Sequence, residues 1–142
     1  FTTKVCWFIN DNIIICSIPY LEKLKDIVVI TNSPKTSLCL GESKIRNYCT
    51  GGQLLMHSLA YVGSETERFI RNFNADICLF SSRGYTESGM ITDSSDREVS
   101  AKRAMLQNAT TSYYLADTSK LGKKFAFNVC SLNNIAGIID EL

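Results

Sequence analysis

Short runs of β-branched and aromatic residues alternate along the chain with stretches in which apolar residues recur at helical spacing. Several runs, such as Ile27–Thr31, are apolar without alternation, which is expected of strands that are covered on both faces. Strands that alternate with helices predict an α/β domain with a mainly parallel sheet. The predicted strands are Ile13–Cys16, Ile27–Thr31, Ile45–Cys49, Asp76–Ser81, Ser112–Ala116, Phe125–Cys130 and Gly137–Ile139.

Two capping boxes mark the start of the clearest helices. Ser64-Glu65-Thr66-Glu67 predicts a helix that ends near Asn74, and Ser95-Asp96-Arg97-Glu98 predicts one that runs to about Ala109. Acidic residues in the first turn of the second helix interact favourably with the helix dipole. Three shorter helices are predicted at Thr3–Ile9, Ile18–Lys25 and Pro34–Leu40.

Small and polar residues follow four of the predicted strands, at 31–33, 50–52, 81–84 and 117–120. In an open parallel sheet, ligands bind beyond the carboxyl ends of the strands, so these segments are expected to converge on one crevice. The backbone N–H groups of Gly51 and Gly52 could approach an anion closely, and the side chains of Thr31, Asn32 and Ser33 suit sugar oxygens. An ordinary turn explains T-G-G equally well from spacing alone.

Basic residues supply candidate contacts to an anion. Lys120 follows a predicted strand, close to where an anionic group would sit, whereas Lys123 and Lys124 are predicted to be solvated surface lysines. Glu98 and Lys102 are four residues apart on a capped helix, a spacing that gives an ion pair worth about 0.2–0.5 kcal/mol. If that helix start faces the crevice, both become ligand candidates instead.

Composition bounds the class of protein. The chain has 142 residues, 45% of them hydrophobic and 20% charged, which fits one packed domain over residues 1–142. Lys and Arg number 15 and Asp and Glu 14, so the basic field of a dedicated nucleic-acid-binding domain is missing and DNA contact must come from elsewhere. No apolar run approaches the roughly 20 residues of a membrane-spanning helix.

The cysteines and the histidine limit the kinds of metal site and catalytic site that the sequence predicts. The six cysteines form no C-x-x-C pair and most lie in apolar contexts, which predicts buried free thiols and a reducing cytoplasm. His57 is the single histidine and has no acidic residue near it in sequence, which favours a packing or surface role. Neither a metal site, a cofactor nor a nucleophilic catalytic arrangement is predicted.

Six motifs follow one another along the chain in a characteristic order: T-N-S (31–33), T-G-G (50–52), V-G (62–63), A-D-I-C-L-F-S-S-R-G-Y-T-E-S-G-M-I-T-D (75–93), E-V-S-A-K-R-A-M (98–105) and Y-L-A-D-T-S-K-L-G (114–122). Together they resemble the C-terminal effector-sensing domain of the DeoR family of bacterial transcriptional repressors, over about Lys4 to Leu142. The resemblance implies a Rossmann-like domain, related to the ribose-5-phosphate isomerase and CoA-transferase folds, that binds a phosphorylated sugar and controls DNA binding.

The resemblance also implies partners and a site. Family members carry an N-terminal winged helix-turn-helix domain that nothing here matches, so the chain is interpreted as the sensor part of a longer regulator. A symmetric homo-oligomer is expected for a repressor that binds a palindromic operator. The predicted ligand-binding residues are Thr31, Asn32, Ser33, Gly51, Gly52, Ser82, Arg83, Glu98, Lys102 and Lys120.

One departure from the family concerns the phosphate loop. In the family, the strand that matches Ile13–Cys16 runs into a D-S-G-T-T or S-S-S-T loop that cradles the effector phosphate. Here Cys16 is followed directly by Ser17-Ile18-Pro19-Tyr20-Leu21. About eight residues, the phosphate loop and the start of its helix, are therefore absent after Cys16. We predict that they form a mobile segment of the protein; the alternative is a true deletion, which would favour an assembly module.

A second departure concerns catalysis. Related sugar-phosphate isomerases carry an acidic D-G-A-D-E segment after the strand that here ends in 81–85, Ser-Ser-Arg-Gly-Tyr. Without those carboxylates no general base faces the substrate carbon, so ligand sensing is favoured over turnover. Two alternatives stay open: a residual isomerase, for which Glu87 and Glu98 are the nearby carboxylates, and an assembly module with a degenerate pocket.

Overall fold

A six-stranded parallel sheet forms the centre of the fold in the computed structural model, which describes residues 4–8 and 12–140. The helices are α1 (Asn12–Leu21), α2 (Pro34–Glu42), α3 (Ser64–Arg71) and α4 (Asp96–Gln107). The strands are β1 (Lys4–Phe8), β2 (Ile27–Thr31), β3 (Asn47–Cys49), β4 (Gln53–Leu55), β5 (Ala60–Val62), β6 (Ala75–Phe80), β7 (Gly84–Tyr85), β8 (Met90–Asp93), β9 (Ala109–Leu115), β10 (Phe127–Ser131) and β11 (Gly137–Ile139).

The main sheet has the strand order β11-β9-β6-β1-β2-β3. Every neighbouring pair in it is parallel, which confirms the predicted sheet. A small antiparallel sheet, β10-β8-β7, and the β4–β5 hairpin stand beside it. Single 3-10 turns lie at Thr118–Lys120 and Leu132–Asn134.

Two hydrophobic clusters form the core, one on each face of the main sheet. Alternate residues of a strand point to opposite faces, so Trp7 and Ile30 belong to one cluster, and Cys6 and Val29 to the other. Side chains of α3 and α4 complete the first cluster, and side chains of α1 and α2 complete the second. This explains why all five residues of β2 are buried and why its sequence does not alternate.

Serine side chains cap α2 and α4, whereas the cap of α3 differs from the predicted one. The side chain of Ser95 accepts a hydrogen bond from Glu98 N at the start of α4, and Ser33 accepts one from Thr36 N at the start of α2. Helix α3 begins at Ser64 itself, and Gly63 occupies the cap position without a side-chain hydrogen bond. The first capping box therefore marks the right helix with the wrong cap.

The predicted order of elements at the N-terminal end is wrong. Within the predicted helix Thr3–Ile9, residues 4–8 form strand β1, while Thr3 and Ile9 lie outside the described residues. The predicted strand Ile13–Cys16 belongs to α1, which runs on to Leu21 in place of a separate helix at Ile18–Lys25. The count of about eight residues assumed that Ile13–Cys16 is the strand before the phosphate loop, and that assumption is wrong. Helix α1 is also continuous across Cys16 and Ser17, so the predicted mobile segment between them is wrong as well.

Sheet pairing explains this reversal. Strand β1 lies between β2 and β6, where Trp7 pairs with Ile30 on one side and Cys78 on the other. Hydrogen bonding on both edges and burial of Trp7 outweigh the local preferences of this segment, and the isoleucine-rich segment that follows forms helix α1. The assembly-module alternative rested on a missing loop and loses that support.

The other predicted strands are confirmed, with β2 and β11 at the predicted bounds and the rest shifted by a few residues. Four short strands, β4, β5, β7 and β8, were not predicted. Each has two to four residues, which is too short to show a hydrophobic period.

Candidate functional site

A polar cavity of about 420 Å³ lies at the carboxyl ends of β6 and β9. This is the edge of a parallel sheet at which ligands are expected to bind. Its lining comes from β8, α4, the β4–β5 hairpin and the segments that follow β6 and β9. The lining residues are Ser58, Ser81, Ser82, Arg83, Asp93, Glu98, Lys102, Ser119, Lys120, Lys123 and Phe125.

Half of the predicted ligand-binding residues line this cavity: Ser82, Arg83, Glu98, Lys102 and Lys120. Lys123 and Lys124 are both exposed, as the sequence predicted, and Lys123 also lines the cavity whereas Lys124 does not. Of the two carboxylates considered for isomerase chemistry, Glu98 lines the cavity and Glu87 does not.

A buried ion pair forms one wall of the cavity. Lys102 Nζ donates to Asp93 Oδ2 at 2.6 Å, and the two side chains are only 8% and 4% exposed. Arg83 Nε lies 3.7 Å from Asp93 Oδ1, and the Arg83 side chain is 56% exposed. Asp93 was not predicted from the sequence, since only the short strand β8 brings its carboxylate to Lys102.

Glu98 has a different neighbour from the one its helical spacing suggested. Its Oε2 atom lies 3.9 Å from His57 Nε2, and the His57 side chain is 59% exposed. Lys102, four residues further along α4, donates its hydrogen bond to Asp93 and not to Glu98. The turn of the β4–β5 hairpin therefore brings the histidine and a carboxylate together at the cavity, a proximity that the sequence did not show.

Hydroxyl groups complete the wall next to β6. Lys120 Nζ donates to Ser81 Oγ at 2.6 Å. Ser82 Oγ donates to Gly84 O at 3.1 Å and lies 2.6 Å from the Tyr114 hydroxyl. These bonds hold Lys120 and the start of β7 against the end of β6, and they fix the direction of the Lys120 side chain.

The T-N-S segment lies outside the cavity and its polar groups bond within the protein. Asn32 Nδ2 donates to Tyr61 O at 3.1 Å, and Tyr61 N donates to Asn32 O at 2.7 Å, which ties β5 to the end of β2. Ser33 caps α2, and Thr31 Oγ1 accepts from Ser33 N at 3.1 Å. In this structure these residues connect elements of the fold.

The T-G-G segment also lies outside the cavity. Gly51 O accepts from Thr66 Oγ1 at 2.6 Å, which ties the segment to α3. Gly51 and Gly52 have φ values of 66° and 119°, in the region that favours glycine. The turn interpretation of T-G-G therefore agrees with the geometry better than an anion contact.

Replacing Gly52 with alanine is expected to lower the free energy of unfolding by about 1–3 kcal/mol. A Cβ atom there would overlap Thr66 Oγ1 and lie 3.0 Å from Val62 O, at an unfavourable φ. Urea unfolding measures the loss. Gly41→Ala is the matched control, because Gly41 lies in α2 with open space around its Cβ position. Equal stability of the two variants would contradict the prediction.

The cysteines are free thiols throughout. Burial raises the pKa of Cys6 and Cys130 to about 11 and raises that of Cys78 further, so these thiols stay protonated at neutral pH. The prediction of buried thiols is confirmed for Cys6 and Cys78, whereas Cys39, Cys49 and Cys130 are only partly buried and Cys16 is exposed.

Residues 4–8 and 12–140 contain no cluster of three or more His, Cys, Asp or Glu side chains placed to bind a metal ion. Within the same residues, no helix combines the length and hydropathy of a membrane-crossing segment.

Comparison with solved structures shows the fold class. Ribose 5-phosphate isomerase from Plasmodium falciparum matches 84% of this chain and 46% of its own, with a TM-score of 0.57 and 16% identity. eIF2B delta from Chaetomium thermophilum matches 96% of this chain and 48% of its own, with a TM-score of 0.66 and 12% identity. The predicted Rossmann-like α/β class is thereby confirmed.

Sequence comparison shows the family. The model of the DeoR C terminal sensor domain matches residues 14–141. The HTH-type transcriptional repressor GlcR of Bacillus subtilis is 32% identical over 117 residues, which cover 82% of this chain and 45% of GlcR. The chain spans about half the length of the curated relatives it matches, which are transcriptional regulators. The chain belongs to the family of DeoR C-terminal sensor domains.

Proposed function

We propose that this sensor domain binds a phosphorylated sugar in the cavity at the ends of β6 and β9, and that occupancy changes DNA binding by a helix-turn-helix domain of the full-length regulator. The relatives, which are HTH-type regulators about twice as long as this chain, support the second half of the proposal. A symmetric homo-oligomer is part of it, because paired DNA-binding domains fit a palindromic operator.

The net positive charge of the cavity lining is the main support for the proposal. Four basic side chains line it, from Arg83, Lys102, Lys120 and Lys123, against the carboxylates of Asp93 and Glu98. Lys102 and Asp93 neutralise each other, which leaves three basic side chains in the lining against the carboxylate of Glu98. Such an excess in a concave site favours an anionic ligand, and a phosphate group accepts several charge-assisted hydrogen bonds.

The neutral and acidic groups suit the sugar part of the ligand. Glu98 accepts hydrogen bonds from sugar hydroxyls, and the hydroxyls of Ser81 and Ser119 line the same cavity. Lys120 and Arg83 contact the phosphate in this proposal, while Lys102 orients Asp93. Thr31, Asn32, Ser33, Gly51 and Gly52 have no part in it because they lie outside the cavity.

Thermal unfolding against a panel of sugar phosphates tests the proposal. A ligand present at about 100 times its Kd adds about 2.7 kcal/mol of stability. We expect one sugar phosphate to raise Tm by several degrees, with no such rise for its free sugar or for inorganic phosphate alone. An equal response to the free sugar would contradict the requirement for a phosphate group.

Lys120→Glu is expected to abolish the stabilisation by that sugar phosphate, because it replaces a cation of the cavity with a negative charge. Lys124→Glu makes the same charge change on the same segment at a residue outside the cavity, and is expected to keep most of the affinity. Titration calorimetry of both variants separates a local contact from a general charge effect. Equal affinity losses would remove Lys120 from the site.

A further inference from the structure

The segment from Asp117 to Lys124, here called the strap, carries three of the cavity's polar lining residues: Ser119, Lys120 and Lys123. It lies between β9 and β10 and consists of one 3-10 turn followed by irregular chain. Side chains of the strap are mostly exposed, so core packing does not hold it in place. Its position must come from specific contacts with the rest of the domain.

Strand β7 supports the strap through its backbone. Gly122 N donates to Tyr85 O at 2.8 Å, and Leu121 and Tyr85 form an isolated parallel bridge. Immediately after the strap, Phe125 N donates to Thr92 Oγ1 at 3.0 Å. Lys120 is held at the other end through its bond to Ser81.

Gly84 is the point at which strap and β7 come closest. A Cβ atom on Gly84 would overlap Lys123 O and would lie 2.8 Å from Lys123 Cβ and 3.0 Å from Lys123 C. The backbone of Gly84 is not in the positive-φ region, so its conformation is open to any residue. The three atoms nearest to that Cβ position all belong to Lys123, so the close approach of Lys123 excludes a side chain there.

We propose that Gly84 is a positioning residue for anion binding: its missing side chain lets the strap lie against β7 and so aims Lys120 and Lys123 into the cavity. This inference rests on the proposed function for the identity of the ligand. Its structural part, the dependence of the strap on Gly84, stands independently of any ligand. A methyl group at Gly84 must displace the strap backbone, because backbone atoms of Lys123 cannot rotate away as a side-chain tip would.

The test compares Gly84→Ala with Gly137→Ala in the full chain. Gly137 also has an ordinary φ, and no atom lies within 4 Å of its Cβ position, so this variant controls for the added methyl group. Hydrogen exchange at the Gly122 amide, which bonds to Tyr85 O, should be faster only in Gly84→Ala. Equal exchange at this amide in both variants would overturn the proposal, whether or not a ligand is known.

The second measurement is the Kd for a sugar phosphate. The compound used is the member of the panel that stabilises the wild-type chain most. Gly84→Ala is expected to raise its Kd by about tenfold and to flatten the dependence of log Kd on salt, since fewer cations face the phosphate. Gly137→Ala should leave both unchanged. An unchanged Kd and salt slope in Gly84→Ala would overturn the positioning role, whereas a wild-type chain that binds no panel compound would count against the proposed function alone.

A second variant covers the case in which Gly84→Ala does not fold. Gly122 has a φ of 82° and open space around its Cβ position, so Gly122→Ala strains the strap from within and places no new side chain against β7. It is expected to raise Kd in the same direction by a smaller factor. A fully folded Gly122→Ala with wild-type affinity and salt dependence would contradict the role assigned to the strap.

Discussion

Trp7→Ala is expected to lower the free energy of unfolding by about 3–5 kcal/mol, a large part of the 5–15 kcal/mol that is typical of a domain. Trp7 is fully buried in the central strand β1. Its ring packs edge-on against Phe73 with centroids 6.2 Å apart, and its Nε1 atom donates to Asn108 O at 3.1 Å. The truncation leaves a cavity and a carbonyl without that donor.

Urea unfolding followed by circular dichroism measures this loss. Trp7→Phe keeps most of the ring volume and removes the N–H donor, so its expected loss is smaller, about 1–2 kcal/mol. Tyr20→Ala removes an exposed aromatic side chain and is expected to stay within about 0.5 kcal/mol of wild type. If Trp7→Ala were no worse than Tyr20→Ala, Lys4–Phe8 would not be the central strand.

Local pattern predicted the parallel sheet but not the strand at its centre. Ile27–Thr31 and Gly137–Ile139 were predicted correctly because their bounding turns and apolar runs are visible within a few residues. Lys4–Phe8 contains polar, aromatic and thiol side chains and shows no clear period. Its place in the sheet depends on pairing with Ile27–Thr31 and Ala75–Phe80, and the second of these lies about seventy residues away.

The candidate site was likewise predicted only in part, because some of its contacts join segments that are distant in the sequence. Chain order after β6 and β9 placed Ser82, Arg83 and Lys120 at the crevice, because the carboxyl ends of parallel strands share one edge. The same argument favoured the segments after β2 and β3, which lie outside this cavity and whose polar groups bond to β5 and α3. Asp93 was not predicted because its contact with Lys102 depends on how the fold places β8 relative to α4.

Lys102→Met is expected to cost about 3–5 kcal/mol of unfolding free energy, because it leaves the buried Asp93 carboxylate without its close cation. The Lys102 Nζ to Asp93 Oδ2 distance is 2.6 Å and both side chains are almost fully buried. The remaining neighbours of the carboxylate are Ser94 N at 2.7 Å and Arg83 Nε at 3.7 Å. Arg83 is too exposed to replace the buried ammonium group fully.

A double variant separates loss of the pair from loss of packing. Asp93→Asn combined with Lys102→Met removes both charges, so its free energy of unfolding is expected to exceed that of Lys102→Met alone. Lys35→Met, at an exposed position of α2, controls for the substitution itself and should stay within about 0.5 kcal/mol of wild type. A double variant less stable than Lys102→Met would show that packing dominates. Recovery would instead show that each charge of the pair in the wall of the cavity needs the other to offset the cost of its burial.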